Sequence, residues 1–167
     1  MVTYIKGNDT STFGGNIDVT GNVVTDAPAF YAGTSATFSA SNATWTKVPL
    51  NTELFDTNNN FDATTNYRFT PTIAGYYQFS AALFVAGAGS GGCIFSIRKN
   101  GSTYYRICTL TNSLAVNQQT SGAILLYANG STDYFELFCY QTSGGTLTMG
   151  NGATDINYMT GHLARAV

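Results

Sequence analysis

A chain of 167 residues has room for one domain with a sizeable core. Only 10% of it is charged, the net charge is −2, and 11 Tyr and 11 Phe are present, a balance that excludes a disordered chain. No basic cluster appears along it and no apolar run is long enough to span a membrane, which argues against nucleic-acid binding and membrane insertion; the opening MVTYIKGNDT also lacks the apolar stretch of a signal peptide.

Residues 1–27 read as an arm outside the main domain, with the boundary at TDAP, 25–28. The arm contains a near repeat: Gly15-Asn16-Ile17 returns six residues on as Gly21-Asn22-Val23, and each copy closes on a threonine. Its apolar residues are too few to be buried within one chain, whereas three copies wound about an axis can cover one another. Phe13, Ile17, Val19 and Val23 are therefore the anchoring or trimerising candidates, an ordinary flexible terminus being the alternative.

From residue 28 onward helix signals are nearly absent and strand signals recur. In chain order the candidate strands are AFYAG, ATFSA, TWTKVPL, YRFTP, GYYQFSAALFVA, CIFSIRKN, STYYRICTL, LAVNQQTSGAILLYA, DYFELFCYQ, GTLTMG and INYMTGHLARAV. Turn residues separate several of them: KNGS at 99–102, ANGS at 128–131 and TSGG at 142–145, with Asn-Gly the strongest hairpin signal. About ten short strands with frequent turns predict a sandwich or barrel.

Alternation within the strands sorts their faces. CIFSIRKN puts Cys93, Phe95 and Ile97 on one side, and YFELFCYQ opposes Phe135, Leu137 and Cys139 to Tyr134, Glu136, Phe138 and Tyr140. The second set is mostly aromatic where a monomeric sandwich wants water-compatible residues, so another chain is expected to cover it. Tyr134, Phe138 and Tyr140 are thus contact candidates. Tyr104 and Tyr105 fall on opposite faces beside an Asn-Gly turn and join them, suited to glycan contact or to a trimer interface. Cys93, Cys108 and Cys139 sit in apolar runs and read as three buried thiols. One disulfide with a spare thiol, or a link to another subunit, is the alternative, and their spacing disfavours a metal site.

No catalytic constellation emerges, and the chain reads as no enzyme. His162, the single histidine, has no nucleophile motif to serve. Asp133 and Glu136 differ in strand face by parity and make a poor carboxylate pair. In DTNNNFD, 56–62, Asp56, Asn58 and Asn60 take the first, third and fifth places of a calcium loop, but Phe61 and Tyr67 stand where Gly and Glu are required. An EF-hand is excluded; Asp56 and Asp62 stay as candidates for a calcium site of another kind, against a loop whose side chains bond their own backbone. The sequons at Asn8, Asn42, Asn100 and Asn129 are what chance gives in a chain so rich in Asn, Ser and Thr, and no sugar is expected on them.

Residues 28–167 resemble the globular head of the complement q subcomponent, the trimeric jelly roll related to tumour necrosis factor. The likeness rests on WTKVPLNTELFDTNNNFD followed by YRFTPTIAGYYQFSAAL, in which Phe69, Pro71, Gly75, Tyr77 and Phe79 stand at the family's positions. It continues in IRKNGS, in SGAILLYANGSTDYFEL and in the closing YMTGHL with Gly161 and Leu163. Where the family has Gly-Asp after its Leu-rich strand, this chain has Gly130-Ser131, with the acid displaced to Asp133; no collagen-like period precedes the head. STFGGNIDVTGNVVT instead is similar to the lead-in of bacteriophage fibre and virion-surface proteins.

The resemblance implies an all-β fold, a homotrimeric jelly-roll β-sandwich (28–167) carried on an extended N-terminal arm (1–27). It further implies a virion structural protein made in the host cytoplasm. The expected role is a short tail fibre or fibre tip that touches a host surface glycan or protein and joins other virion proteins through its arm. A capsid-decorating trimer and a secreted lectin-like head are the alternatives.

Overall fold

The computed structural model describes residues 27–87, 89–111 and 117–167; the arm up to residue 26, with Phe13, Ile17, Val19 and Val23, lies outside the described residues. In chain order the strands are β1 (Ala29–Gly33), β2 (Phe38–Ala40), β3 (Thr46–Lys47), β4 (Thr52–Asp56), β5 (Phe61–Asp62), β6 (Arg68–Phe69) and β7 (Gly75–Val85). There follow β8 (Cys93–Lys99), β9 (Thr103–Leu110), β10 (Gln118–Ala128), β11 (Phe135–Gln141), β12 (Leu147–Met149) and β13 (Tyr158–Ala166). A first sheet runs β2-β12-β7-β13-β1-β4, with β10 laid along β7; a second runs β5-β6-β11-β8-β9, with β3 on β11. The strand pairings are antiparallel, as the expected jelly-roll sandwich requires.

Period-two alternation decides which residues meet between the sheets. On β7, Tyr77, Phe79, Ala81, Leu83 and Val85 are buried; on β8 and β11, Cys93, Phe95, Ile97, Phe135, Leu137 and Cys139 are. At one end of this core the filling is aromatic. Phe30 stacks on Phe69 at 4.3 Å and on Phe61 at 5.1 Å, Tyr77 meets the edge of Phe69 at 5.6 Å, and Phe79 lies 4.7 Å from Phe135. Each fully buried ring contributes about 2 kcal/mol of transfer free energy, and each well-placed pair about 1 kcal/mol more. The Tyr77 hydroxyl stays satisfied by donating to the Ile73 carbonyl at 2.8 Å.

The turns divide by what they join. Asn100 and Gly101 both adopt positive φ (56° and 70°), and they close the β8–β9 hairpin as expected of Asn-Gly. ANGS and TSGG are not hairpins. They lead from β10 in the first sheet to β11 in the second, and from β11 back to β12, so each is a passage between layers. The stretch TELFDTNNNFD, absent from the candidate strands, contains β4 and β5. β4 is an edge strand with Leu54 and Phe55 about half exposed, so it carries no inside–outside alternation to read, and β5 is only two residues long.

Gly161 explains the closing Gly-His-Leu motif. A Cβ there would stand 2.8 Å from both the Phe30 and Phe79 rings, so the residue is bare because the aromatic cluster passes directly over it. Gly161→Ala is expected to cost about 1–3 kcal/mol and to lower the unfolding midpoint by about 3–10 °C. Gly145→Ala, at a position with open space, is expected to leave that midpoint unchanged in the same calorimetric scan.

Candidate functional site

Strand register gathers charges that the sequence scatters. On the outer face of the second sheet, Glu136 pairs with Arg68 on one side and Arg98 on the other, and Arg98 pairs with Tyr104. The neighbouring row aligns Lys47, Phe138, Ser96 and Arg106. Four of the chain's seven Lys and Arg residues therefore share one face with Glu136 and, at its β5 edge, Asp62. This corrects the expectation that no basic group forms, which was drawn from separation along the chain.

The cations lie on rings. The Arg98 guanidinium is 4.2 Å from the Phe138 centroid and 4.7 Å from that of Trp45, and Arg68 is 4.4 Å from Tyr134. Trp45 in turn lies 5.2 Å from Tyr140 and 5.7 Å from Tyr104. Lys47 bonds the buried Glu136 and donates to the Asn66 carbonyl at 3.2 Å. Tyr134, Phe138 and Tyr140 are consequently half-buried under partners from their own chain, and the bare aromatic face expected on β11 is not bare. Tyr104 is exposed at 54%, whereas Tyr105 packs against the core.

A less capped aromatic face lies on the other sheet, where Lys99 lies 5.4 Å from the Tyr127 centroid. Tyr31 stacks on Tyr158 at 5.0 Å and sits 6.3 Å from Phe55; Tyr76 and Tyr127 pair across β7 and β10 at 5.6 Å beside exposed Leu125. Between these ring pairs run small side chains in register, among them Ser80, Ala82, Ala123 and Thr160. A cavity of about 430 Å³ opens here between Ala82, Gln119, Thr120, Ser121 and Tyr158. His162 lies on the same face opposite Gln78, exposed. Alternation through GYYQFS and AILLYA carried the signal for this face.

The loop carboxylates are committed to backbone. Asp62 accepts from the amides of Thr64, Thr65 and Asn66 and from the Asn66 side chain, and these bonds, the Thr65 amide first, hold its carboxyl well below the usual carboxylate range. Asp56 accepts from the amides of Asn58 and Phe61. Both calcium candidates thus bond the backbone of their own loop, the arrangement given above as the alternative. Among the described residues no group of three or more His, Cys, Asp and Glu is placed to hold a metal. All three cysteines are free; burial pushes the Cys93 thiol up to about 12 and raises Cys139 as well, so both behave as apolar filling.

Asp133, the displaced acid, ties two turns together. It pairs with Lys99 at 2.7 Å, accepts from the Asn100 side chain at 2.8 Å and accepts from the Asn129 amide at 2.9 Å. Burial alone would push its carboxyl up, but the Lys99 bond, with Asn100 and Asn129, outweighs burial and holds it below the ordinary value. A depressed folded value means that its stabilisation is complete above pH 3.8 and is lost as pH falls through the lower folded value. Asp133→Asn is expected to cost about 3 kcal/mol at neutral pH. The gap in unfolding midpoint between wild type and variant should close on acidification, followed by circular dichroism.

Two facing antiparallel sheets in this order, with one capped face and one ring-lined face, define a jelly-roll head built to present surfaces rather than a cleft. The chain belongs to the C1q domain family, whose model matches residues 29–163. Among solved structures it is similar to the globular domain of zebrafish complement 1qA (19% identity, 84% of this chain and 99% of that one, TM-score 0.58). It is likewise similar to murine APRIL (6% identity, 82% and 98%, TM-score 0.62) and to the PRD1 vertex protein P5 (16% identity, 86% and 100%, TM-score 0.54). Comparison with curated proteins yields no match.

Proposed function

We propose that this chain is a non-enzymatic virion-surface protein of a bacteriophage: a homotrimeric head whose N-terminal arm, residues 1–27, joins other virion proteins and whose exposed surface meets the host, as in a short tail fibre or fibre tip. What carries the reading is the outer face of the first sheet. Its exposed rings and small uncharged side chains present a surface with few charges, the kind that a sister copy covers. Covering it leaves the cation-rich face of the second sheet outward, three times over, so that weak contacts multiply by avidity. The phage side of the reading draws on the arm's repeat and on the likeness of the head to a vertex protein of PRD1. Because that relative is named for a vertex, a trimer seated on the capsid is the second reading.

Multi-angle light scattering at micromolar concentration should give three times the 17.8 kDa chain mass. Leu125→Arg, at a position exposed within one chain, should shift it toward a single chain without unfolding it. A folded wild-type monomer would remove the trimer. Cryo-electron microscopy of purified particles decides the location: density at the tail supports the fibre reading, and density over the shell supports the second.

A further inference from the structure

We infer that the outer face of the second sheet binds an acidic sugar chain, Arg98 taking a uronate carboxylate while Trp45 and Tyr104 stack on the pyranose ring. The inference deepens the host-contact reading and rests on it for its biological setting. Three observations carry it. First, Arg98 has donors to spare. Among the described residues its one hydrogen bond runs from Nη1 to the Gly101 carbonyl at 3.5 Å, which leaves Nη2 for a ligand, while Nε is buried without a partner. The neighbouring carboxylate that should pair with it, Glu136, is bonded to Lys47 instead.

Second, the guanidinium is held in place rather than free to fold away. Rings of Trp45 and Phe138 flank it within 5 Å, and this fixes a planar fork suited to a bidentate carboxylate. Third, the ground around it has one character. Tyr104 is 54% exposed, Trp45 is half-buried at its side, and Arg106 stands exposed on the same face of β9. Both carboxylates of this face lie toward β6 and are already bonded, Glu136 to Lys47 and Asp62 within its own turn. A ligand here must offer an anion and a flat C–H surface a few ångströms apart. An acidic sugar has both in one residue. A polypeptide carboxylate lacks the ring, and a nucleic acid would ask for more phosphate contacts than Arg98 and Arg106 supply.

The test uses the full chain in affinity electrophoresis against four probes: polygalacturonate, neutral dextran, polyglutamate and an oligothymidine. Polygalacturonate should retard the protein in a salt-sensitive manner and dextran should not. Tyr104→Ala and Arg98→Lys, which keeps the charge and loses the fork, should each weaken retardation about tenfold. Should Arg98→Lys fail to fold, Arg106→Ala, on an exposed side chain, provides the same readout. Absence of retardation by polygalacturonate, indifference to these variants, or equal retardation by dextran overturns the assignment. Retardation as strong in polyglutamate or oligothymidine does so too, by marking an unselective cationic patch or a nucleic-acid surface. Failure here leaves a tail location by microscopy untouched, and a shell location leaves polygalacturonate binding untouched, so the two readings fall separately.

Discussion

Rings stacked between the two layers are the contact on which the rest depends. Phe30 and Phe79 come from the first sheet, Phe69, Phe61 and Phe135 from the second, and their centroids interleave at 4.3–5.1 Å along the cluster's closest contacts. Flat, rigid side chains of this size set the distance between sheets and leave little room for error. The bareness of Gly161 is the mark of that tolerance, since one methyl there would collide with two rings. With the separation set, inward positions on β7, β8 and β11 must be apolar, and everything turned outward becomes available for other work.

The outward faces then differ for a reason. On the second sheet, three basic side chains, Lys47, Arg68 and Arg98, are laid over aromatic ones, which hides ring surface from water. On the first sheet, among the described residues, a cation lies over Tyr127, from Lys99 at 5.4 Å, while Tyr31, Phe55 and Tyr76 carry none. One face is therefore capped more fully within the chain than the other. That asymmetry is the ground of the trimer proposed above, in which the less capped face meets sister copies.

Much of the architecture was legible because alternation is a local signal. Strands β7, β8, β9 and β11 and the Asn100-Gly101 hairpin were readable from spacing alone. β4 escaped because an edge strand with both Leu54 and Phe55 exposed has no periodicity to betray it. The destinations of Asn129-Gly130 and Ser143-Gly144 escaped because a passage between layers uses the same turn residues as a hairpin. The cation-bearing face was illegible for a different reason. Lys47, Arg68, Arg98 and Arg106 become neighbours only through the pairing of five strands, β3, β6, β11, β8 and β9, and parity on β11 alone could not tell that its rings would be capped.

The position of β1 has a mechanical side. The strand lies between β13 and β4, antiparallel to both, and enters the sheet at the pole where the Leu163 amide donates to the Pro28 carbonyl. A pull on Pro28 directed along the axis of β1 acts across hydrogen bonds that run at right angles to it. The two ladders are then loaded together, in shear, and must yield as a set rather than peel apart rung by rung.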